Sequence, residues 1–186
     1  MWLRWLVDGV MDSERRPLRP IGASVDEVND RTGRMLAVFT RRPGVRLFGP
    51  VPAGAGQTPI PYAISKGPLV VLVDAVAWPA GTYSTTPDGN ILCDGVYIGQ
   101  SVRQLVGAVH RLRRTMPRGC LVEAVIVVHP SLPAAPTLPA AGPAELSWLP
   151  PADLPAHLRH RLSVAAYCQS DINAVTLSLS PVTPGS

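Results

Sequence analysis

The sequence predicts an α/β domain in which a central mixed sheet with hairpins is flanked by helices. Two segments are apolar enough to be buried strands: LVVLVDAVAW at residues 69–78 and LVEAVIVVHP at residues 121–130. One helix-period segment precedes the first of them, and another lies between the two. Because helices alternate with strands in this way, we expect helices packed on a mixed sheet.

The first helix is predicted in SVDEVNDRTGRMLAVFTRR, residues 24–42. Ser24 followed by Glu27 fits a capping box, in which each residue satisfies a backbone N–H of the other. One face of this helix is apolar: Val28, Met35, Leu36 and Phe39. Gly33 interrupts the segment with a residue of low helix propensity.

Strands and hairpins are predicted between residues 45 and 98. VRLFGPV at 45–51 is a short strand, and IPYAIS at 60–65 is joined to the first buried strand by KGP, which is typical of a hairpin. TYSTT at 82–86 and NILCDGVYI at 90–98 are predicted as two further strands, and PDG between them indicates a second hairpin.

The clearest helix is SVRQLVGAVHRLRRTM, residues 101–116, with an apolar face: Val102, Leu105, Val106, Val109, Leu112 and Met116. After the second buried strand, ELSWL at 145–149 is predicted as an edge strand. DLPAHLRHRLS at 153–163 is the last helix, with Asp153 as its cap and Pro155 in its first turn.

The domain is expected to span residues 24–165, between an N-terminal extension (1–23) and a C-terminal tail (166–186). The net charge of +4 is compatible with a nucleic-acid partner and also with an ordinary protein surface. The three cysteines form no CxxC pair, so neither a zinc site nor a disulfide framework is indicated. Arg4 and Asp8 break the apolar start MWLRWLVDGVM, so we expect a cytoplasmic protein without a membrane partner.

Asp74 is the residue that most needs an explanation. It follows five consecutive apolar residues, Leu69–Val73, in the first buried strand. An ionised carboxylate in an apolar environment costs several kcal/mol unless a partner compensates its charge. Asp74 is therefore either a carboxylate at a wet strand end or part of a chemical site.

The pattern around Asp74 resembles the nuclease-related domain (NERD) family, which has a restriction-endonuclease-like fold. NDRTGRML resembles the first helix of that family, which usually bears a Gly-Glu pair. IPYAISKGPLVVLVDAVAWPAG is similar to its paired strands, which typically read Ile-Asp-His, a turn, acid-x-Lys and a tryptophan. SVRQLVGAVHRLRR, VEAVIVVHP and AELSWLPPADLPAHLRHRL resemble the helix, strand, and closing strand and helix that follow in actinobacterial members.

The resemblance implies a metal-dependent nuclease site that this chain has largely lost. In such nucleases two carboxylates hold a divalent ion and a lysine assists the nucleophile. Carried over by position, the acid of the first helix falls on Asp30 and the acid of acid-x-Lys falls on Asp74. The Asp of Ile-Asp-His falls on Pro61 and the lysine on Val76, and neither side chain can replace the lost group. Asp74 and Asp30 are therefore interpreted as vestigial catalytic residues.

Lys66 is not expected to replace the missing lysine, although it is the one lysine among the 17 basic residues. It lies eight residues before Asp74, and at ~3.3 Å per residue in a strand the two are roughly 25 Å apart.

A cationic face is predicted on the helix at 101–116, opposite its apolar face: Arg103, His110, Arg111 and Arg114. Such a face can follow a phosphate backbone. The alternative is an ordinary solvated helix surface in an arginine-rich chain.

The chain is thus interpreted as a catalytically degenerate nuclease-related domain that acts in nucleic-acid binding or as an accessory interaction module, with no cofactor. Two alternatives remain open. One is a residual Mg²⁺-dependent DNA endonuclease in which Asp74, with Asp30, holds the metal. The other is a protein-interaction subunit with MWLRWLV as a docking peptide. DNA and a protein are the candidate partners.

Overall fold

The computed structural model of the chain describes residues 24–131, 134–139 and 146–165, together with Leu179. The predictions for segments 1–23 and 166–186 lie, apart from Leu179, outside the described residues. The described ranges contain the helices α1 (Val25–Ala37), which continues as a 3₁₀ helix (Val38–Arg41), α2 (Arg103–Thr115) and α3 (Leu154–Val164). The strands are β1 (Val45–Phe48), β2 (Tyr62–Lys66), β3 (Leu69–Trp78), β4 (Tyr83–Thr85), β5 (Asn90–Cys93), β6 (Val96–Ser101), β7 (Leu121–Pro130) and β8 (Leu146–Leu149).

Five strands form the central sheet, in the order β1-β2-β3-β7-β8. β1, β2 and β3 are antiparallel neighbours, so the hairpin predicted between β2 and β3 is confirmed. β7 pairs in parallel with β3, and β8 pairs in parallel with β7 at one edge of the sheet. The predicted class, a mixed sheet flanked by helices, is confirmed.

The two faces of β3 belong to different layers of the fold. One set of alternate residues shares a core with α2: Val70, Leu72 and Trp78. The other set shares a core with α1 and α3: Leu69, Val71 and Val73. Further along, Ala75 and Ala77 pack against Val28 of α1. Because successive side chains of a strand point to opposite faces, each residue of β3 is assigned to the α1 side or the α2 side.

A second sheet of three antiparallel strands, β4-β5-β6, contributes Tyr83 and Ile91 to the core on the α2 side. The prediction of a single strand over residues 90–98 is wrong, because the chain reverses at Asp94 and Gly95 and Cys93 pairs with Val96. Both turn residues have positive φ, 49° and 79°. Such a pair is typical of a type I′ turn, for which Asp-Gly is a preferred dipeptide.

The capping predictions are confirmed only in part. The Glu27 backbone N–H donates to Ser24 Oγ at 3.1 Å, whereas the Glu27 carboxylate pairs with Arg31. Asp153 occupies the N-cap of α3, but its side chain makes no capping hydrogen bond. None of the helices in the described part of the chain is long and apolar enough to cross a membrane.

Gly33 allows β2 to approach α1 closely. A Cβ atom on Gly33 would lie 2.5 Å from Tyr62 Oη and 2.9 Å from Tyr62 Cζ. The Tyr62 hydroxyl also donates a hydrogen bond to the Asn29 carbonyl at 3.2 Å. The residue that weakens the helix therefore makes room for the ring that connects α1 to the sheet.

We expect Gly33→Ala to lower the free energy of unfolding by about 1 kcal/mol. Alanine favours a helix over glycine by about 1 kcal/mol, but overpacking against Tyr62 typically costs about 1–3 kcal/mol. In a Tyr62→Ala background the same change should instead stabilise, by up to about 1 kcal/mol. Urea unfolding of the four proteins measures both effects, and a stabilising Gly33→Ala in both backgrounds would contradict the packing role.

Candidate functional site

Asp74 lies on the α2 side of β3, between the buried residues Leu72 and Trp78, and is itself partly buried. Its Oδ1 accepts a hydrogen bond from the Ala75 backbone N–H at 2.8 Å. Among the described residues no basic side chain forms an ion pair with it. Burial therefore raises the pKa of Asp74 above its ordinary value, and the hydrogen bond from Ala75 opposes that increase.

The hairpin of β2 and β3 contains or adjoins three of the positions that correspond to the nuclease site of the family: Pro61, Asp74 and Val76. Tyr62 pairs with Val73 at the end of the antiparallel hairpin. Pro61 and Asp74 are the residues that adjoin this last pair, one on each chain segment. Val76 follows Asp74 by two residues on the same face and packs, partly buried, against the α2-side core. Asp74 and Val76 thus form one patch of β3, in which Asp74 supplies the ionisable group, and Pro61 directly precedes the strand that pairs with β3.

Asp30 does not join this patch. α1 packs on the other face of the sheet, through Val28 against Ala75 and Ala77. Val28 and Thr32 are the buried residues on either side of Asp30, and Asp30 itself is exposed. The sheet therefore separates the two carboxylates. The residues that the structure describes hold no group of three or more His, Cys, Asp or Glu side chains suited to a metal ion.

Lys66 is at the far end of β2 from this patch, where it pairs with Leu69. Its Nζ donates a hydrogen bond to the Leu162 carbonyl of α3 at 2.7 Å. The expected separation of roughly 25 Å is too large, because the hairpin turns back and places Lys66 five strand positions from Asp74, about 17 Å away. The ammonium group still cannot reach Asp74, and its partner is on the opposite side of the sheet.

The predicted cationic face of α2 is present with one change. Arg103, His110 and Arg114 are exposed. Arg111 is instead half-buried, because its guanidinium packs against the loop between β1 and β2: a Cβ atom on Gly54 would lie 3.3 Å from Arg111 Cζ. The Arg111 Nη2 atom is buried and has no hydrogen-bond partner among the described residues.

His129 and Thr32 are buried polar residues to which the sequence interpretation gave no role. They lie under α1, where Thr32 Oγ1 and His129 Nε2 are 2.8 Å apart. Burial lowers the pKa of His129, and the positive charge of Arg31 lowers it further. In the sequence, His129 is recognisable as a histidine near the end of a buried strand. The sequence alone did not indicate which helix would cover this histidine.

Trp78 is a core aromatic residue. Its ring stacks on Tyr83 with centroids 4.0 Å apart, and its Nε1 donates a hydrogen bond to Gln100 Oε1 at 3.0 Å. Because the ring is 1% exposed, it offers no surface for stacking on a nucleic-acid base.

No family model, no curated protein and no solved structure matches the chain.

We expect Asp74→Asn to raise the melting temperature at neutral pH. Asparagine retains an oxygen that accepts the Ala75 hydrogen bond but removes a charge whose burial is unfavourable. For a chain of this size, each kcal/mol gained raises the melting temperature by about 2–4 °C. Calorimetry of the two proteins measures the difference, with the exposed Asp30→Asn as a control that should change little.

The gain from Asp74→Asn should depend on pH. A carboxyl group whose pKa is raised by folding contributes its full stabilisation when the pH is below 3.8, its pKa in the unfolded chain. That stabilisation is lost as the pH rises through the folded-state pKa. The variant should therefore gain its advantage over the wild type above pH 3.8 and show little at lower pH. A loss of roughly 1–3 kcal/mol at neutral pH would instead identify Asp74 as a hydrogen-bonded structural carboxylate.

We expect Val76→Lys to be tolerated because Asp74 is present. The new ammonium group would start about 6–7 Å from Asp74 along the same strand face, and its aliphatic stem would cover the apolar surface that Val76 covers now. A double-mutant cycle with Asp74→Asn, measured by urea unfolding, should give a favourable coupling on the order of 1 kcal/mol. A coupling of zero would show that the two positions do not share one patch.

Proposed function

We propose that this chain is a nuclease-related, restriction-endonuclease-like domain with a degenerate catalytic centre, and that it binds nucleic acid through the outer face of α2. The observation that carries the binding proposal is the charge of α2. This helix contains four arginines and a histidine and no carboxylate, and Arg103, His110 and Arg114 are exposed on it.

The order of elements supports the likeness to nuclease-related domains. The chain has a helix, the β2–β3 hairpin, a second helix, a strand parallel to β3, and a closing strand and helix. The resemblance implies this same order. The adjacency of Pro61 and Asp74 is a further point of support, because the family pattern places two metal-binding carboxylates at these positions.

Among the residues that the structure describes, no carboxylate joins Asp74 in a metal-binding group, which supports the loss of catalysis. Hydrolysis of a phosphodiester by this type of site needs a metal held by at least two carboxylates and a cation near the nucleophile. Pro61 and Val76 provide neither, and Asp30 is on the other side of the sheet. A raised pKa also makes Asp74 a weaker metal ligand, because the proton competes with the ion. The geometry does not favour the residual endonuclease.

The exposed cations of α2 are spaced along one side of the helix. Arg103 and Arg114 are eleven residues apart, which is about 16 Å at ~1.5 Å per residue. Arg103 Nε donates to the Asp88 carbonyl, so its side chain is held in place while its terminal nitrogens remain available. Two arginines at this separation suit contacts with phosphates rather than reading of bases, which predicts sequence-independent binding.

We expect the protein to bind DNA weakly and with a steep dependence on salt. Each phosphate contact contributes about 0.9 to the log–log slope, so Arg103→Gln combined with Arg114→Gln should flatten the slope by about two units. Fluorescence anisotropy with a labelled duplex across a salt series measures this. Arg41→Gln combined with Arg159→Gln, on the α1 side, is the matched control and should leave the slope unchanged.

The same preparation with Mg²⁺ or Mn²⁺ should leave plasmid and single-stranded DNA intact. Metal-dependent cutting that disappears in Asp74→Ala would overturn the loss of catalysis. An absence of binding at low salt, or an equal effect of the control pair, would overturn the role of α2.

A further inference from the structure

A groove runs between α1 on one side and the end of β7 and the start of α3 on the other, on the opposite face of the sheet from α2. It consists of two adjoining hollows of about 260 and 600 Å³ that share Met35 and Val38. The opposite wall contains three prolines, Pro130, Pro151 and Pro155, and Arg159 of α3. We call this feature the α1 groove.

The floor of the α1 groove is apolar and in part exposed. Met35, Val38 and Phe39 form it, and 61% of Val38 is accessible to solvent. The lining residues of α1 and its 3₁₀ extension, with Arg42 directly after them, recur at spacings of three and four, from Arg31 to Arg42. At ~1.5 Å per residue in α1 and ~2.0 Å per residue in the 3₁₀ helix, these eleven steps make a groove about 19 Å long, which is the length of three to four turns of a helix.

The rim of the α1 groove is positively charged. Arg34, Arg42 and Arg159 are exposed and have no carboxylate partner among the described residues. Arg42 lies over the ring of Phe39, 5.3 Å from its centroid, so the cation and the apolar floor are adjacent. Arg31 at one end pairs with Glu27 of the same helix.

We propose that the α1 groove docks an acidic, amphipathic helix of a partner protein. The apolar face of that helix would cover Met35 and Val38, and its carboxylates would pair with Arg34, Arg42 and Arg159. Methionine, aromatic and arginine side chains are the types enriched at protein interfaces, and an amphipathic helix in an apolar groove is a recurrent mode of recognition. This site is independent of the proposed nucleic-acid face, which lies on the other side of the sheet.

The composition of the floor favours a peptide over nucleic acid. Phosphates would also pair with the arginines, but base stacking needs an exposed flat ring. Phe39 is only 5% exposed and is covered by Arg42, so the accessible floor is aliphatic.

The ends of the chain are poorly matched to the groove by charge. Residues 1–23 contain four arginines against three carboxylates, and residues 166–186 contain a single carboxylate, Asp171. Neither segment offers the excess of negative charge that the rim requires, so the occupant is assigned to a partner protein.

Selection from a display library of random 14-residue peptides tests the proposal. The intact protein is the target, and a folded Arg34→Glu, Arg159→Glu variant is used for counter-selection. The selected peptides should be rich in Asp and Glu, with apolar residues at spacings of three and four. A labelled peptide of the consensus sequence should then lose affinity at least tenfold on Arg34→Glu with Arg159→Glu, and likewise on Val38→Asp.

Arg114→Glu combined with Arg118→Glu is the matched control, because it makes the same change in charge on the α2 side. It should alter the affinity of the peptide less than twofold. Peptides without acidic enrichment, or an equal loss in the control, would overturn the proposal. Displacement of the labelled peptide by a synthetic peptide of residues 1–23 would overturn the assignment to a partner, and displacement by DNA that persists in Arg103→Gln with Arg114→Gln would assign the groove to nucleic acid.

Discussion

The parallel pairing of β3 with β7 is the interaction on which the rest of the fold depends. It joins ten consecutive residue pairs, and both strands are covered on both faces. A shift of one residue would move every side chain of β3 to the other layer. Asp74 would then lie under α1, in the space that Ala75 and Ala77 keep small enough for Val28. The register thus determines both how closely α1 can pack and on which side the carboxylate lies.

Most elements could be predicted because their signals are local. β3 and β7 are long continuous apolar runs, and α2 has an apolar face of helical period, so each can be recognised from neighbouring residues in the chain. The second Asp-Gly turn was also a local signal, and it was missed because the apolar residues on either side of Asp94 look like one continuous strand. The adjacency of Pro61 and Asp74 likewise follows from a hairpin whose turn is visible in the sequence.

The arrangement of the candidate site could not be predicted in the same way, because it depends on which face of the sheet each helix covers. Asp30 and Asp74 are separated because α1 packs on one face of the sheet and the side chain of Asp74 lies on the other. The position of Arg111 depends on the close approach of the Gly54 loop, and the contact between Thr32 and His129 joins residues 97 positions apart. The α1 groove is likewise formed by segments distant in the chain. If both proposals hold, a nucleic acid and a protein would occupy opposite sides of the sheet without competing for space.

The hydrogen bond of Lys66 to the Leu162 carbonyl has a consequence for how the charge of this protein can be regulated. Lys66 is the sole lysine, and all other basic side chains are arginines. Guanidinium groups keep their protons across the physiological range and are not substrates for lysine acetyltransferases. The cationic surfaces of the described fold therefore cannot be neutralised by acetylation. Acylation at Lys66 would act differently, since it would disconnect β2 from the last turn of α3 and would influence the packing of the sheet, leaving both arginine-bearing surfaces with their charge.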